Sequence, residues 1–309
     1  MKKKQNITVL MSTYNGSKYV SEQIESILGQ INVYVRLIIR DDCSTDETAE
    51  ILRQYQVVNS NIIIEKSTRN LGPCKSFLSL IRKYNDDEYF ALADQDDIWD
   101  DDKLITAIET LRQEGSNGKP LLYYSNLKIV DEKGCFCRLS HKVPHIANER
   151  YAALVENLAT GCTVVYNKCL ADIANRIKPS DYSMHDAWLY TVARLFGNVI
   201  YDFTPHIDYR QHKSNQVGTY KNRISLKKVN QELGDIFGKD GRKWSKNARI
   251  ILNQFQINDS LVDRSKIEKI AEPSKTLKSK YMILKDKEYY PDSAYRRIRF
   301  ILEVICNTL

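Results

Sequence analysis

The first hundred residues alternate short β-rich runs with amphipathic helical stretches, and that alternation points to a parallel sheet covered by helices. Residues 7–11 read as a first strand, followed by a polar turn over 12–17 and a helix carrying Val20, Ile24, Ile27 and Leu28 on one face. Residues 35–39 read as the second strand. Ser44 to Glu47 then supply a helix cap with acid in the first turn, ahead of Ala49, Ile51, Leu52 and Tyr55. A third strand over 61–65, a proline-started helix over 73–84 and a fourth strand over 89–93 complete the pattern.

In sheets of this kind ligands gather beyond the carboxyl ends of the strands. Three polar clusters fall at those ends: residues 13–16, the pair Asp41-Asp42, and residues 94–97. Beyond residue 125 the pattern turns irregular, and residues 133–148 read as a loop or hairpin excursion.

With 309 residues, the chain exceeds one typical domain. We expect a catalytic α/β domain over residues 1–220 and a basic, mainly helical extension over 221–309, with a linker near 239–246. The formal charge of +7 is uneven: residues 221–309 carry 20 Lys and Arg against 11 Asp and Glu, leaving the first 220 residues slightly acidic. A basic tail suits an anionic surface, and an acidic front suits a metal and phosphates. No apolar run reaches membrane-spanning length, and the start is too short in apolar residues for a signal-peptide core, so a cytoplasmic protein is expected. Seven cysteines without paired metal spacing read as free thiols; Cys135-x-Cys137 is too tight for half a zinc site.

Asp94, Asp96 and Asp97 at the end of a buried strand repel one another and resist desolvation, which implies a compensating cation. Hard oxygen donors, joined by an imidazole, favour Mg²⁺ or Mn²⁺. The same run also suits a solvated acidic turn capping a helix that begins near Asp101.

Four segments in order, Ser12-Thr13-Tyr14-Asn15-Gly16, Asp41-Asp42-Cys43-Ser44-Thr45-Asp46, Arg69-Asn70-Leu71-Gly72 and Asp94-Gln95-Asp96-Asp97-Ile98-Trp99, resemble the motifs of inverting glycosyltransferase family 2. The resemblance covers residues 6–220 and implies a GT-A fold, a Rossmann-like nucleotide-binding domain with a mostly parallel central sheet. It implies that the backbone at Thr13, Tyr14 and Asn15, together with Asp42, holds the donor's base and ribose, and that Arg69 lies near the donor, though Arg69 reads equally as a surface arginine. It implies a DxD signature in residues 94–97, with Asp96 and Asp97 nearest metal and ribose and Asp94 in support. Asp41 reads equally as an ordinary turn former.

Asp186, in Met184-His185-Asp186-Ala187-Trp188, resembles the family's catalytic base at a helix start. The family often has Glu-Asp where this chain has His185-Asp186, so His185 either orients the acceptor or packs. Transfer from a nucleoside diphosphate needs one base and no acid, because a metal offsets the charge on the leaving group. Residues 160–163 resemble a glycine-bearing acceptor loop, in which Gly161 lets a sugar approach the backbone, or form a plain turn. Tyr209-Arg210-Gln211-His212 resembles a segment whose histidine completes the metal site and whose Arg210 faces the diphosphate; His141, His145 and His206 receive no role.

The motif wording is most similar to the bacterial rhamnosyltransferase branch. That implies a dTDP-L-rhamnose donor and a saccharide acceptor, lipid-linked, in O-antigen or capsule synthesis, with a UDP-hexose donor as the alternative and an inactive nucleotide-sugar-binding scaffold as a third reading. Tyr295, Ile298, Ile301, Leu302, Ile305 and Leu309 recur at near-helical spacing beside Arg296, Arg297 and Arg299. Such a helix lies on the inner face of an anionic membrane, with Lys275, Lys278, Lys280, Lys285 and Lys287 adding attraction, or packs on its own domain or a second subunit as a homodimer. No nucleic acid is expected as a partner, since the tail lacks interleaved aromatics.

Overall fold

A computed structural model of the chain describes residues 4–115, 118–142, 149–176, 184–212, 243–255, 262–273, 276–292 and 294–306. They form two compact units, one of Met1–Pro144 with Leu158–His212, the other of His145–Asn157 with Lys213–Leu309.

In the first unit β1 (Gln5–Thr13), α1 (Val20–Leu28), β2 (Val33–Asp41), α2 (Thr48–Val58), β3 (Ile62–Glu65), α3 (Pro73–Lys83) and β4 (Tyr89–Ala93) follow the expected alternation. These four strands pair in parallel in the order β3-β2-β1-β4. Ile7, Val9, Leu10 and Met11 are all fully buried, because helices cover both faces of the strand. Val20, Ile24 and Ile27 of α1 and Phe77, Leu78, Leu80 and Ile81 of α3 supply that cover.

Beyond β4 come β5 (Ile98–Trp99), α4 (Lys103–Glu114), β6 (Leu121–Val130), β7 (Phe136–Leu139), β8 (Val165–Asn167), α5 (Lys168–Ala174), α6 (His185–Phe196) and β9 (Asn198–Arg210). They continue the sheet as β8-β6-β9-β5, with β8 antiparallel to both β4 and β6, and β6 parallel to β9. The sheet is therefore parallel on one side and mixed on the other. The 133–148 excursion contains β7, which returns antiparallel along β6; residues 143–148 lie outside the described residues.

Sequence reasoning missed β9. Its thirteen residues are mostly half-buried and show no clean alternation, so its period is weak. Its entry depends on Gly197, where a Cβ would lie 1.8 Å from the Pro120 carbonyl oxygen. No side chain fits at that approach, and the strand is thereby delivered alongside β6.

The second unit holds α7 (Lys243–Gln254), α8 (Arg264–Ala271), α9 (Leu277–Lys285), α10 (Ala294–Cys306) and two single 3₁₀ turns, at Tyr151–Leu154 and Lys287–Tyr289. In its core the Tyr289 ring packs at a tilt against Tyr151, at 6.1 Å, and Phe300, at 6.4 Å. The Tyr151 hydroxyl accepts the Asp263 N–H at 2.6 Å, and the Arg296 guanidinium pairs with Glu156 at 3.2 Å. Through these contacts residues 149–157 pack with the C-terminal helices. The boundary expected at 220 lies outside the described residues, as do 239–242 of the linker, Lys275 and Leu309.

Candidate active site

The β1–α1 turn is held open by side chains from two other strand ends. Gln95 grips Tyr14, its Oε1 accepting the Tyr14 N–H at 2.8 Å and its Nε2 donating to the Tyr14 carbonyl at 3.2 Å. The Asn15 N–H donates to Ser44 Oγ at 2.9 Å, and the Gly16 N–H to Thr48 Oγ1 at 2.9 Å. Asn15 returns the contact, its Oδ1 accepting the Thr45 N–H. A Cβ on Gly16 would sit 2.3 Å from Gln95 Oε1, so a larger residue there would displace the Gln95 side chain from its clamp. Burial works against the Asp46 carboxylate, but hydrogen bonds from Thr48 and Ser17 hold its pKa down at about 2. The N–H groups of Tyr14 and Asn15, expected to meet a donor, are thus engaged within the protein. What faces outward is the Tyr14 ring, 47% exposed, and the exposed Asn15, while Thr13 is buried.

Asp42, at the end of β2, is buried and accepts the N–H groups of Leu71 at 2.9 Å and Gly72 at 2.7 Å. Arg40, which sequence reasoning did not single out, lies beside it: its guanidinium reaches Asp42 at 3.3 Å, Ser67 Oγ at 2.7 Å and the Arg69 carbonyl at 3.3 Å. Together they clip the 69–72 loop to the sheet, leaving the Arg69 side chain exposed. Asp41 instead accepts from Thr13 Oγ1 and from Ser44, so it builds the turn.

The acidic loop after β4 sends its carboxylates in two directions. Asp96 meets His212, with Oδ2 2.6 Å from Nε2. Asp97, fully buried, accepts the Arg210 N–H at 3.2 Å through Oδ1, while its Oδ2 is buried with no hydrogen-bond partner. Among the described residues the one trio of metal-capable groups within 4.8 Å is Asp94, Asp97 and Cys162, rather than the expected Asp96, Asp97 and His212. Adjacent residues diverge because the chain bends at Gln95 and Asp96 before it enters β5.

Burial, then the charges of Asp96 and Asp186, push the Asp94 carboxyl up to about 7. Burial, then Asp96 and Asp94, push Asp97 far above its ordinary range, and burial likewise raises the Cys162 thiol. Lys103, fully buried with its ammonium 3.6 Å from the Trp99 ring centroid, is pushed down to about 7 by desolvation. Burial thus holds the acidic groups of this cluster toward their neutral forms, the cost that a bound cation would relieve. Beside that cluster, the hard carboxylate of Asp96 and the His212 imidazole, both largely buried, fit a divalent cation.

Tyr19, just before α1, stands between the two basic groups of this region. Its ring stacks on His212 at 4.9 Å between centroids and lies 4.6 Å from the Arg210 guanidinium. Arg210 also pairs with Glu22, so one turn of α1 holds both residues at the end of β9.

Asp186 begins α6, its Oδ1 accepting the Ala187 N–H at 2.7 Å. His185 is buried, stacked on Phe77 at 4.1 Å, and neither ring nitrogen has a hydrogen-bond partner. Burial lowers its pKa, so the ring is neutral. A Cβ on Gly161 would come within 3.0 Å of His185 Nε2 and 3.7 Å of the Asp186 Cβ. The glycine's missing side chain therefore makes room for His185, and the 160–163 turn is packed against the start of α6.

A half-parallel, half-mixed sheet with polar groups gathered at its strand ends has the architecture of a GT-A domain. The description "Glycosyl transferase family 2" matches residues 8–130. The chain is 33% identical over 263 residues to the dTDP-rhamnosyl transferase RfbG of Shigella flexneri, spanning 81% of this chain and 88% of that protein. It resembles S. aureus TarS 1–349, solved in complex with UDP-GlcNAc, at a TM-score of 0.58 with 17% identity, over 86% of this chain and 70% of that one. The mannosyltransferase PcManGT of Pyrobaculum calidifontis, solved with GDP-Man and Mn2+, aligns at 0.52 with 12% identity, over 98% and 86%. These structures share the fold. The chain belongs to glycosyl transferase family 2, and its activity is that of a glycosyltransferase.

Proposed function

We propose that the protein transfers L-rhamnose from a dTDP-linked donor to a hydroxyl of a saccharide, with inversion, during synthesis of a bacterial surface polysaccharide. The observation that carries the reading is the convergence of Asp96, His212, Asp94 and Asp186, where the charges of Asp96 and Asp186 both act on Asp94. Asp96 and His212 would hold a divalent cation, Mn²⁺ or Mg²⁺, with Asp94 toward the sugar and Asp97 fixing the loop from behind. Such an ion offsets the charge that develops on the diphosphate. Asp186 accepts the acceptor hydroxyl's proton as that oxygen attacks the anomeric carbon opposite the leaving group. The exposed Tyr14 ring offers a stacking face to the base, with Asp42, Asn15 and Arg69 along the same strand ends and Arg210 toward the diphosphate.

The rhamnosyl donor is supported by the similarity to RfbG; a UDP-hexose donor is the alternative. Among the described residues no helix is long and apolar enough to cross a membrane. We read the acceptor as lipid-linked and the second unit as a peripheral contact with the membrane that carries it.

The test is thermal stabilisation by dTDP, UDP and GDP, each with and without Mn²⁺. Ligand at about 100 times Kd adds roughly 2.7 kcal/mol, a clear shift. A metal-dependent shift led by dTDP supports the rhamnosyl reading; one led by UDP replaces it with a hexosyl donor. No shift with any nucleotide overturns the donor reading.

A further inference from the structure

The helix α10 shows solvent a stripe that soluble helices normally bury. Ile298, Leu302 and Ile305 are 59, 37 and 50% exposed and recur at i, i+4 and i+7, while Phe300, Glu303 and Val304 are buried. The neighbouring α9 does the same, with Leu277, Tyr281 and Met282 exposed and Ile283 buried. The two helices are joined where the Lys280 ammonium donates to the Ile305 carbonyl at 2.5 Å. Exposed apolar surface rimmed by charge marks a docking site.

The charges select the occupant. Lys278, Lys285 and Arg297 are exposed on these helices, Arg296 is already paired with Glu156, and their one acid, Glu303, is buried and paired with Arg299. A second copy of the same face would set like charges against each other, whereas an anionic lipid surface accepts both the cations and the apolar stripes.

We propose that α9 and α10 form a docking surface for an anionic bilayer, with Ile298, Leu302, Ile305, Leu277 and Tyr281 entering the headgroup–acyl boundary. The proposal deepens the membrane-borne acceptor reading and rests on it.

Co-sedimentation of the full chain with vesicles tests it, using phosphatidylcholine with phosphatidylglycerol against phosphatidylcholine alone. Wild-type protein pellets with the anionic vesicles. The pair Ile298→Asp/Leu302→Asp and the pair Lys278→Glu/Lys285→Glu each weaken that partition about tenfold or more, while the thermal shift given by nucleotide stays unchanged. Equal partition of the variants, or no pelleting of the wild type, overturns the surface. So does a concentration-dependent dimer that Ile298→Asp/Leu302→Asp dissolves, which assigns the face to a second copy. The nucleotide shift reads the donor site independently: its loss in wild-type protein that still pellets sinks the donor reading and spares this one.

Discussion

His212 Nε2 lies 2.6 Å from Asp96 Oδ2, joining positions 116 residues apart in the chain. The contact unites the acidic loop after β4 with the residue that follows β9. Neither residue forms the pair by local structure; parallel pairing of β6 and β9 carries the histidine there.

Under the proposed function, that pair is where a divalent cation would bind. His212→Ala should raise the Mn²⁺ concentration needed for nucleotide-dependent stabilisation by about 10-fold or more, the usual scale for losing a group that binds or orients a ligand. Calorimetric titration of Mn²⁺ in the presence of dTDP measures it. An unchanged affinity removes His212 from the site.

Tyr19 holds the pair in place through its stack on His212 and its contact with Arg210. Tyr19→Leu should weaken Mn²⁺–nucleotide binding by roughly fivefold, about 1 kcal/mol of aromatic and cation–π contact. Tyr19→Phe keeps the ring and should bind within about twofold of wild type. Equal loss in both variants would assign the effect to the hydroxyl.

Asp186→Asn should lower kcat by at least about 100-fold while donor affinity stays within about twofold, because a general base acts on the acceptor. Asp96→Asn should weaken donor and metal together. Steady-state kinetics beside calorimetry separates the two, and a matching loss of donor affinity in both contradicts the division of roles.

Gly197→Ala should destabilise the first unit by about 3 kcal/mol, since its Cβ would meet the Pro120 carbonyl at 1.8 Å. Urea unfolding reads the change. A loss under about 1 kcal/mol would mean that β6 and β9 separate easily at that end.

His206 lies between Asp202, at 3.3 Å, and Asp102, at 3.1 Å, and Asp202 chiefly raises its pKa above 6.5. A raised histidine stabilises the fold fully below the unfolded value of about 6.5 and loses that contribution as pH rises through the folded value. His185, pushed the other way by burial, destabilises as pH falls. The difference in Tm between wild type and His206→Gln isolates the first effect: it should be largest near pH 6 and shrink toward pH 8. A difference that grows with pH contradicts the ion pairs.

Much of the parallel half was legible because its signals are local. A run such as Ile7 to Met11 is wholly apolar, Pro73 starts a helix, and Asp94 to Asp97 follow a strand with no residue between. The 160–163 turn and Asp186 at a helix start were legible for the same reason. Tyr19, Glu22, Arg40 and Lys103 carried no such signal, since each is an ordinary residue on its own element. Only their partners, Arg210, His212, Asp42 and Trp99, distant along the chain except for Asp42 and Trp99, give them a place.

The sequence by itself determined that alternating elements would form a sheet with acid at its carboxyl ends, and which family those motifs join. Tertiary structure alone decided that Asp96 faces His212 while Asp97 turns inward to the Arg210 N–H, and that Gly161 yields its space to His185. The physical reason is range: periodicity and capping act within a few residues, whereas the direction of a carboxylate depends on donors brought from strands a hundred positions away.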